Sequence, residues 1–165
     1  MLILGLDPGL ATTGYGLVEG EGAEMRMVAY GVIETPAHIP IGDRLAQLYA
    51  AITALLVRYR PQAAAVEELF FATNARTAIM VGEGRGVILL ALAQAAVPVI
   101  EYTPLQIKQA VTGYGLADKA QVQQMVQLLL SLEAVPKPDD AADALAASIC
   151  HYNATRYAEL ARDVE

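Results

Sequence analysis

Little in this sequence points to covalent bracing, membrane insertion or indiscriminate nucleic-acid binding. Its single cysteine, Cys150, cannot form an internal disulfide, which fits a reducing compartment. No basic segment opens the chain, and Asp7 interrupts the apolar stretch where a signal sequence would have its core. The longest apolar run, "GVILLALAQAAVPVI" at 86–100, is broken by Gln94 and Pro98 and falls short of the roughly 20 residues of a membrane span. Basic residues are scarce: 11 Lys and Arg stand against 18 Asp and Glu, for a net charge of −7. That balance argues against a general nucleic-acid binder, which carries a basic face. There is no repeat, low-complexity tract or linker. The expectation is a soluble, cytoplasmic protein with one domain over 1–158 and a short acidic tail at 159–165.

What is present is apolar and well patterned. Hydrophobic residues make up 55% of the 165, enough for a substantial core. The acids crowd the two ends (Glu19, Glu21, Glu24; Asp139, Asp140, Asp143, Glu159, Asp163, Glu165). Arg58, Arg60, Arg76, Arg85, Lys108 and Lys119 lie between, leaving room for a local basic surface. Residues 2–7 read as a strand buried on both faces, followed by strands at 14–20 and 25–36 in a short-looped meander. The period then changes. Leu45, Leu48, Ile52, Leu55 and Tyr59 recur at helical spacing until Pro61. A strand at 63–68, a helix at 74–96 with Asn74 as a candidate cap, a strand at 98–102 and helices near 104–112, 118–131 and 139–158 complete the chain. The pattern predicts an α/β fold, a five-stranded mixed β-sheet flanked by helices.

Asp7 ends the first strand, Glu67 the fourth, and Asp140 and Asp143 share a face in the first turn of the last helix. If central strands bring their ends together under that helix, four carboxylates meet. They would repel one another unless hard cations neutralise them. All-oxygen ligation suits Mg²⁺ or Mn²⁺, and a pair of such ions can drive phosphodiester hydrolysis. Each residue alone also fits an ordinary role: Asp7 before Pro-Gly as a turn residue, Glu67 and Glu68 as solvated strand-end groups, Asp139, Asp140 and Asp143 as helix-start residues after Pro138.

Four stretches, "LGLDPGLATTGYG", "AVEELFFATNARTAIMVGEGRG", "EYTPLQIKQAVTGYGLADKAQVQQMV" and "DDAADALAASICH", together resemble the RuvC family of bacterial Holliday junction resolvases. The likeness runs in order from about Leu2 to His151, and its third stretch is the most specific. It implies an RNase H-like fold, a homodimer, and Mg²⁺-dependent cleavage of four-way DNA junctions, with two ions per site and Mn²⁺ able to substitute. Paired symmetric nicks with 5′-phosphate and 3′-hydroxyl ends would follow, as would a partnership with the RuvA–RuvB branch-migration complex in recombination and repair. Residue by residue, Asp7, Glu67, Asp140 and Asp143 match the metal-binding carboxylates, whereas Glu68 falls beside the catalytic position. Lys119 matches a lysine at the scissile phosphate, and Asp118 is the expected cap of its helix. Lys108 matches a lysine gripping a flanking phosphate.

Phe70, with Phe71 beside it, falls on the loop aromatic that would wedge bases apart; Phe71 packing under the next helix is the plainer alternative. Gly82, Gly84 and Gly86 would let the helix at 74–96 pack across a dimer axis or on its own sheet. Arg76 and Arg85 would bind phosphate near that axis, although Arg85 also fits a pair with Glu83 or Glu101. Cys150 and His151 read as packing residues. The sequence departs from the family in its acidity, in Thr73 where a basic residue is common, and in lacking a basic C-terminal extension. Competing readings are a YqgF-like nuclease of the same fold and an actin-like or sugar-kinase nucleotide-binding domain, which shares the first hairpin. A junction-binding protein without catalysis is a third.

Overall fold

Alternation along the first strand decides which way Asp7 points. In a computed structural model describing residues 1–68 and 75–162, β1 (Leu2–Asp7) is buried over its middle four residues. Leu4 and Leu6 enter one core and Ile3 the other. Side chains on a strand alternate between faces, so Asp7 shares the face of Ile3 and Gly5. The same holds for β4 (Ala63–Glu67): Ala64 and Val66 face the first core, Ala65 the second, and Glu67 follows Ala65.

β1 pairs antiparallel with β2 (Thr12–Glu21), which pairs antiparallel with β3 (Glu24–Glu34), the expected meander. β4 lies parallel to β1, with Leu6 opposite Val66, and β5 (Val99–Tyr102) lies parallel to β4. The sheet order is β3-β2-β1-β4-β5, so Asp7 and Glu67 end neighbouring central strands side by side.

Helices cover both faces. α1 (Ile41–Tyr59) and α2 (Ala75–Gln94) close the core containing Leu4, Leu6, Leu48, Ile52, Ile88 and Leu92. α3 (Pro104–Thr112), α4 (Lys119–Leu129) and α5 (Asp139–Arg162) close the other. The fully buried face of α1 is Arg44, Leu48, Ile52 and Leu56, so Leu56 takes the core position expected of Leu55. Spacing by four keeps these residues in one row, whereas Leu55 is turned to a half-exposed flank. The last helix runs on to Arg162, four residues into the segment expected to be a tail.

Glycine explains how α5 comes so close to the sheet. A Cβ on Gly5 would stand 1.9 Å from the Ala144 carbonyl oxygen, and one on Gly14 would stand 1.9 Å from that of Asp140. Gly14 is the direct partner of Asp7 across the β1–β2 ladder. The helix side is equally small: Ala141, Ala142, Ala144, Ala146 and Ala147 are all buried. Ser148 then donates a hydrogen bond to the Gly16 carbonyl, 2.9 Å away, fixing the axial position of the helix.

Candidate active site

The turn after Asp7 is tied down from three sides. Thr13 donates its hydroxyl proton to the Gly9 carbonyl, and Thr35 donates to the Leu10 carbonyl at 2.5 Å. Arg44 in turn donates from Nε to the Thr35 hydroxyl oxygen at 3.0 Å. This buried arginine, which the helical spacing of leucines conceals, braces the Asp7 turn from behind.

Over the opposite face of the sheet, the start of α5 brings Asp140, in its first turn, and Asp143, at the beginning of its second, to the ends of β1 and β4. The charges of these residues are felt where they should be. Burial, reinforced by Asp143 and Asp140, pushes the Asp7 carboxyl up to about 7. Burial and then the charges of Asp7 and Asp143 push Glu67 up to about 8. Asp143 is also raised, chiefly by burial. Carboxylates that hold their protons this firmly are short of positive charge.

Lys119 supplies some of it. It is the first residue of α4, whose start is fixed by a reciprocal capping box between Asp118 and Gln121, as expected for Asp118. Its ammonium lies 3.0 Å from Asp143 and 3.5 Å from Asp139. Burial opposes the charge, but the hydrogen bond to Asp143 and the attraction of both carboxylates outweigh it, so Lys119 stays protonated. Lys108, half-buried on α3, lines the same cleft as Glu67, Lys119 and Asp143. α3 opens with its own capping box, Thr103 with Gln106.

The donor set fits a hard divalent cation: four carboxylates, no sulfur, and in Asp7, Glu67 and Asp143 a raised proton affinity that a cation would relieve. Among the described residues no three such side chains surround one point ready-made, and Asp143 is paired with Lys119. Glu68 continues past the strand and bonds through its backbone N–H to the Tyr102 carbonyl.

The other expected residues fall as follows. Phe70, Phe71 and Asn74 lie outside the described residues, as does Thr73; Arg76 falls on α2, and its side chain is likewise outside them. Arg85 pairs with Glu101 at 2.5 Å, the second of the two partners considered. Cys150 is buried and its thiol is pushed up to about 11, consistent with packing. His151 shares a 2.9 Å hydrogen bond with the Tyr102 hydroxyl and is held below its usual value by burial. Asp139 was expected to do no more than start the helix. It also binds Lys119, Lys137 and Gln123, a role that a run of acids after proline does not announce. A wider hollow, lined by Met1, Glu19, Glu21, Glu24 and Arg26, lies at the opposite end of β1 and contains none of these groups.

The model of the family described as Crossover junction endodeoxyribonuclease RuvC matches residues 3–151. This chain belongs to the RuvC family. The RuvC of Desulfitobacterium hafniense is 59% identical over 151 residues, which cover 92% of each chain. That of Syntrophomonas wolfei is 54% identical over 156 residues, covering 94% of this chain and 91% of the relative. T. thermophilus RuvC, solved in complex with Holliday junction substrate, superposes with a TM-score of 0.88 at 37% identity, over 95% of this chain and 96% of that one. RuvC membership sets aside the YqgF-like and nucleotide-binding readings and makes the fold RNase H-like.

Proposed function

We propose that this RuvC-family crossover junction endodeoxyribonuclease cuts four-way DNA with two Mg²⁺ ions held by Asp7, Glu67, Asp140 and Asp143. Holliday junction resolution, in recombination and repair, is its activity. One observation carries the mechanism: Asp7 and Glu67 end adjacent parallel strands on the face crossed by the first turn of α5. When bound, the ions supply an activated water and stabilise charge on the leaving 3′ oxygen, giving 5′-phosphate and 3′-hydroxyl ends. Mn²⁺, also an oxygen-seeking ion, is expected to substitute.

The chain's own groups hold the substrate. Lys119, at the cleft and protonated, holds the scissile phosphate and balances charge developing on it. Lys108, lining the same cleft, grips a neighbouring phosphate, a contact that positions the strand without reading its sequence. Phe70, with Phe71, is assigned by its place in the sequence to part bases at the crossover. Arg76 is assigned in the same way to a phosphate contact.

A four-way junction has two-fold symmetry, and two matched nicks need two related sites, so the working form is a homodimer. α2 supports this. Its 18-residue stretch Thr77–Gln94 is apolar and long enough by composition to cross a membrane, yet only 22% of it is buried in the chain. Ile88, Ala91 and Leu92 seat it on the core, while Ile79 and Leu90 are 63% and 51% exposed. Gly84 meets Leu10, but a Cβ on Gly82 or Gly86 would meet nothing within 4 Å. A second copy of α2 would cover that exposed stripe. The likeness to RuvC also nominates RuvA–RuvB as the complex delivering junctions, in the cytoplasm.

The test is cleavage of a synthetic four-way junction beside a linear duplex of matched sequence, with and without Mg²⁺. Paired symmetric nicks in the junction alone are expected. Equal cutting of the linear duplex, or cutting in chelator, would reject this mechanism.

A further inference from the structure

Asp139 is more than a helix start. Its two carboxylate oxygens have separate partners. Oδ1 accepts from Gln123 Nε2 at 2.9 Å and from Lys137 Nζ at 2.8 Å. Oδ2 faces the Lys119 ammonium at 3.5 Å. Gln123 is itself fixed: it is buried, it lies one turn beyond Lys119 on α4, and its Oε1 accepts from Lys137 at 3.3 Å. The carboxylate is therefore oriented from one side and offers its free edge to Lys119 on the other.

The other partner of Lys119, Asp143, belongs to the carboxylate cluster. An acid that gives an oxygen to a cation and turns to meet it is a poorer anchor for a lysine than one held in place by other groups. We infer that Asp139, held by Gln123 and Lys137, is the positioning residue that keeps Lys119 aimed into the cleft while Asp143 is committed elsewhere. This rests on the proposed role of Lys119 at the scissile phosphate. It predicts that losing Asp139 lowers the cleavage rate and leaves junction affinity nearly unchanged. Lys119 would remain charged but would wander among rotamers, and a misplaced catalytic group costs rate.

The experiment is a cycle of Asp139→Asn, Lys119→Ala and the double variant, read as single-turnover junction cleavage at saturating protein. Asp139→Asn keeps an oxygen for Gln123 and Lys137, so its melting temperature should stay near that of the parent. Asp139→Ala is run beside it. The expected result is a loss of about tenfold for Asp139→Asn and no further loss on adding it to Lys119→Ala, since both act through one group. Junction affinity should stay within about twofold, well below the tenfold that 1.4 kcal/mol represents. A second readout needs no catalysis: with Mg²⁺ present and no DNA, so that Asp143 is committed to the cation, the side-chain ammonium NMR signal of Lys119, visible when the group is held, should fade into exchange with water in Asp139→Asn but persist in the parent. Full cleavage by Asp139→Asn, or equal extra losses in both backgrounds, would overturn the inference. Full cleavage by Lys119→Ala would instead overturn the Lys119 reading, and this inference with it.

Discussion

α5 and α2 are the two longest helices, both rich in small and apolar residues, and the chain uses them in opposite ways. From Ala141 to Tyr152 every α5 residue except Asp143 is buried, packed on strands whose glycines admit its backbone. α2 buries one edge and leaves Ile79 and Leu90 in solvent. The difference shows that apolar composition does not say where a helix's partner lies. The partner of α5 is the sheet beneath it, and small residues on both sides make the fit. The partner proposed for α2 is another copy of itself.

The largest effect should come from the carboxylate cluster that α5 completes at the end of β1. Asp7→Asn is expected to lower junction cleavage by about a thousandfold or more while junction binding persists, because it removes a proposed cation ligand and no proposed phosphate contact. Gel-shift and cleavage assays on one junction check both halves. Next is the contact beneath α5. Gly14→Ala would push a methyl group against the Asp140 carbonyl, which as backbone cannot swing aside. A loss of about 3 kcal/mol is expected in denaturant unfolding, with activity falling as Asp140 is displaced.

Protonation supplies a third comparison. The folded Asp7 and Glu67 hold protons up to about pH 7 and 8, against ordinary values of 3.8 and 4.5. Between those limits the folded chain binds more protons than the unfolded one, so in chelator stability falls as pH rises through the window. Calorimetry should show a smaller fall for Asp7→Asn. Mg²⁺ should raise the parent's melting temperature at about pH 8 and have little effect near pH 5.

For α2, Leu90→Glu should weaken self-association at least about 100-fold in sedimentation experiments, leaving the monomer folded. The smallest effect tests the same face from the other direction. Gly86→Ala, made in that monomeric background, should stabilise by about 1 kcal/mol, since its Cβ meets nothing and alanine favours helix. The same change in the parent should loosen the pair if the helices approach closely there.

Much of this was legible in the sequence where a local rule decides the outcome. β1 ends at Asp7 and Asp118 caps α4, as the turn and capping chemistry require, whereas the strand expected over 63–68 stops at Glu67, and only the family resemblance singled out Glu67 over Glu68. What escaped depends on residues far apart in the chain. Gly14 and Gly5 matter because of α5, more than a hundred positions away, and nothing beside them says so. Arg44 heads the buried row of Leu48, Ile52 and Leu56, and a charged residue counts as exposed until Thr35 is seen beside it. Asp139 looked like one more acid at a helix start, yet its partners come from α4 and from Lys137.

The site spans almost the full length of the chain. β1 and β4 are synthesised before α5, so they present their acids to a helix not yet made. No nascent or truncated chain ending before Asp143 can assemble the four carboxylates. A chain whose α5 has not settled onto the sheet therefore lacks the proposed cation site, so nuclease activity is expected to follow the docking of that helix.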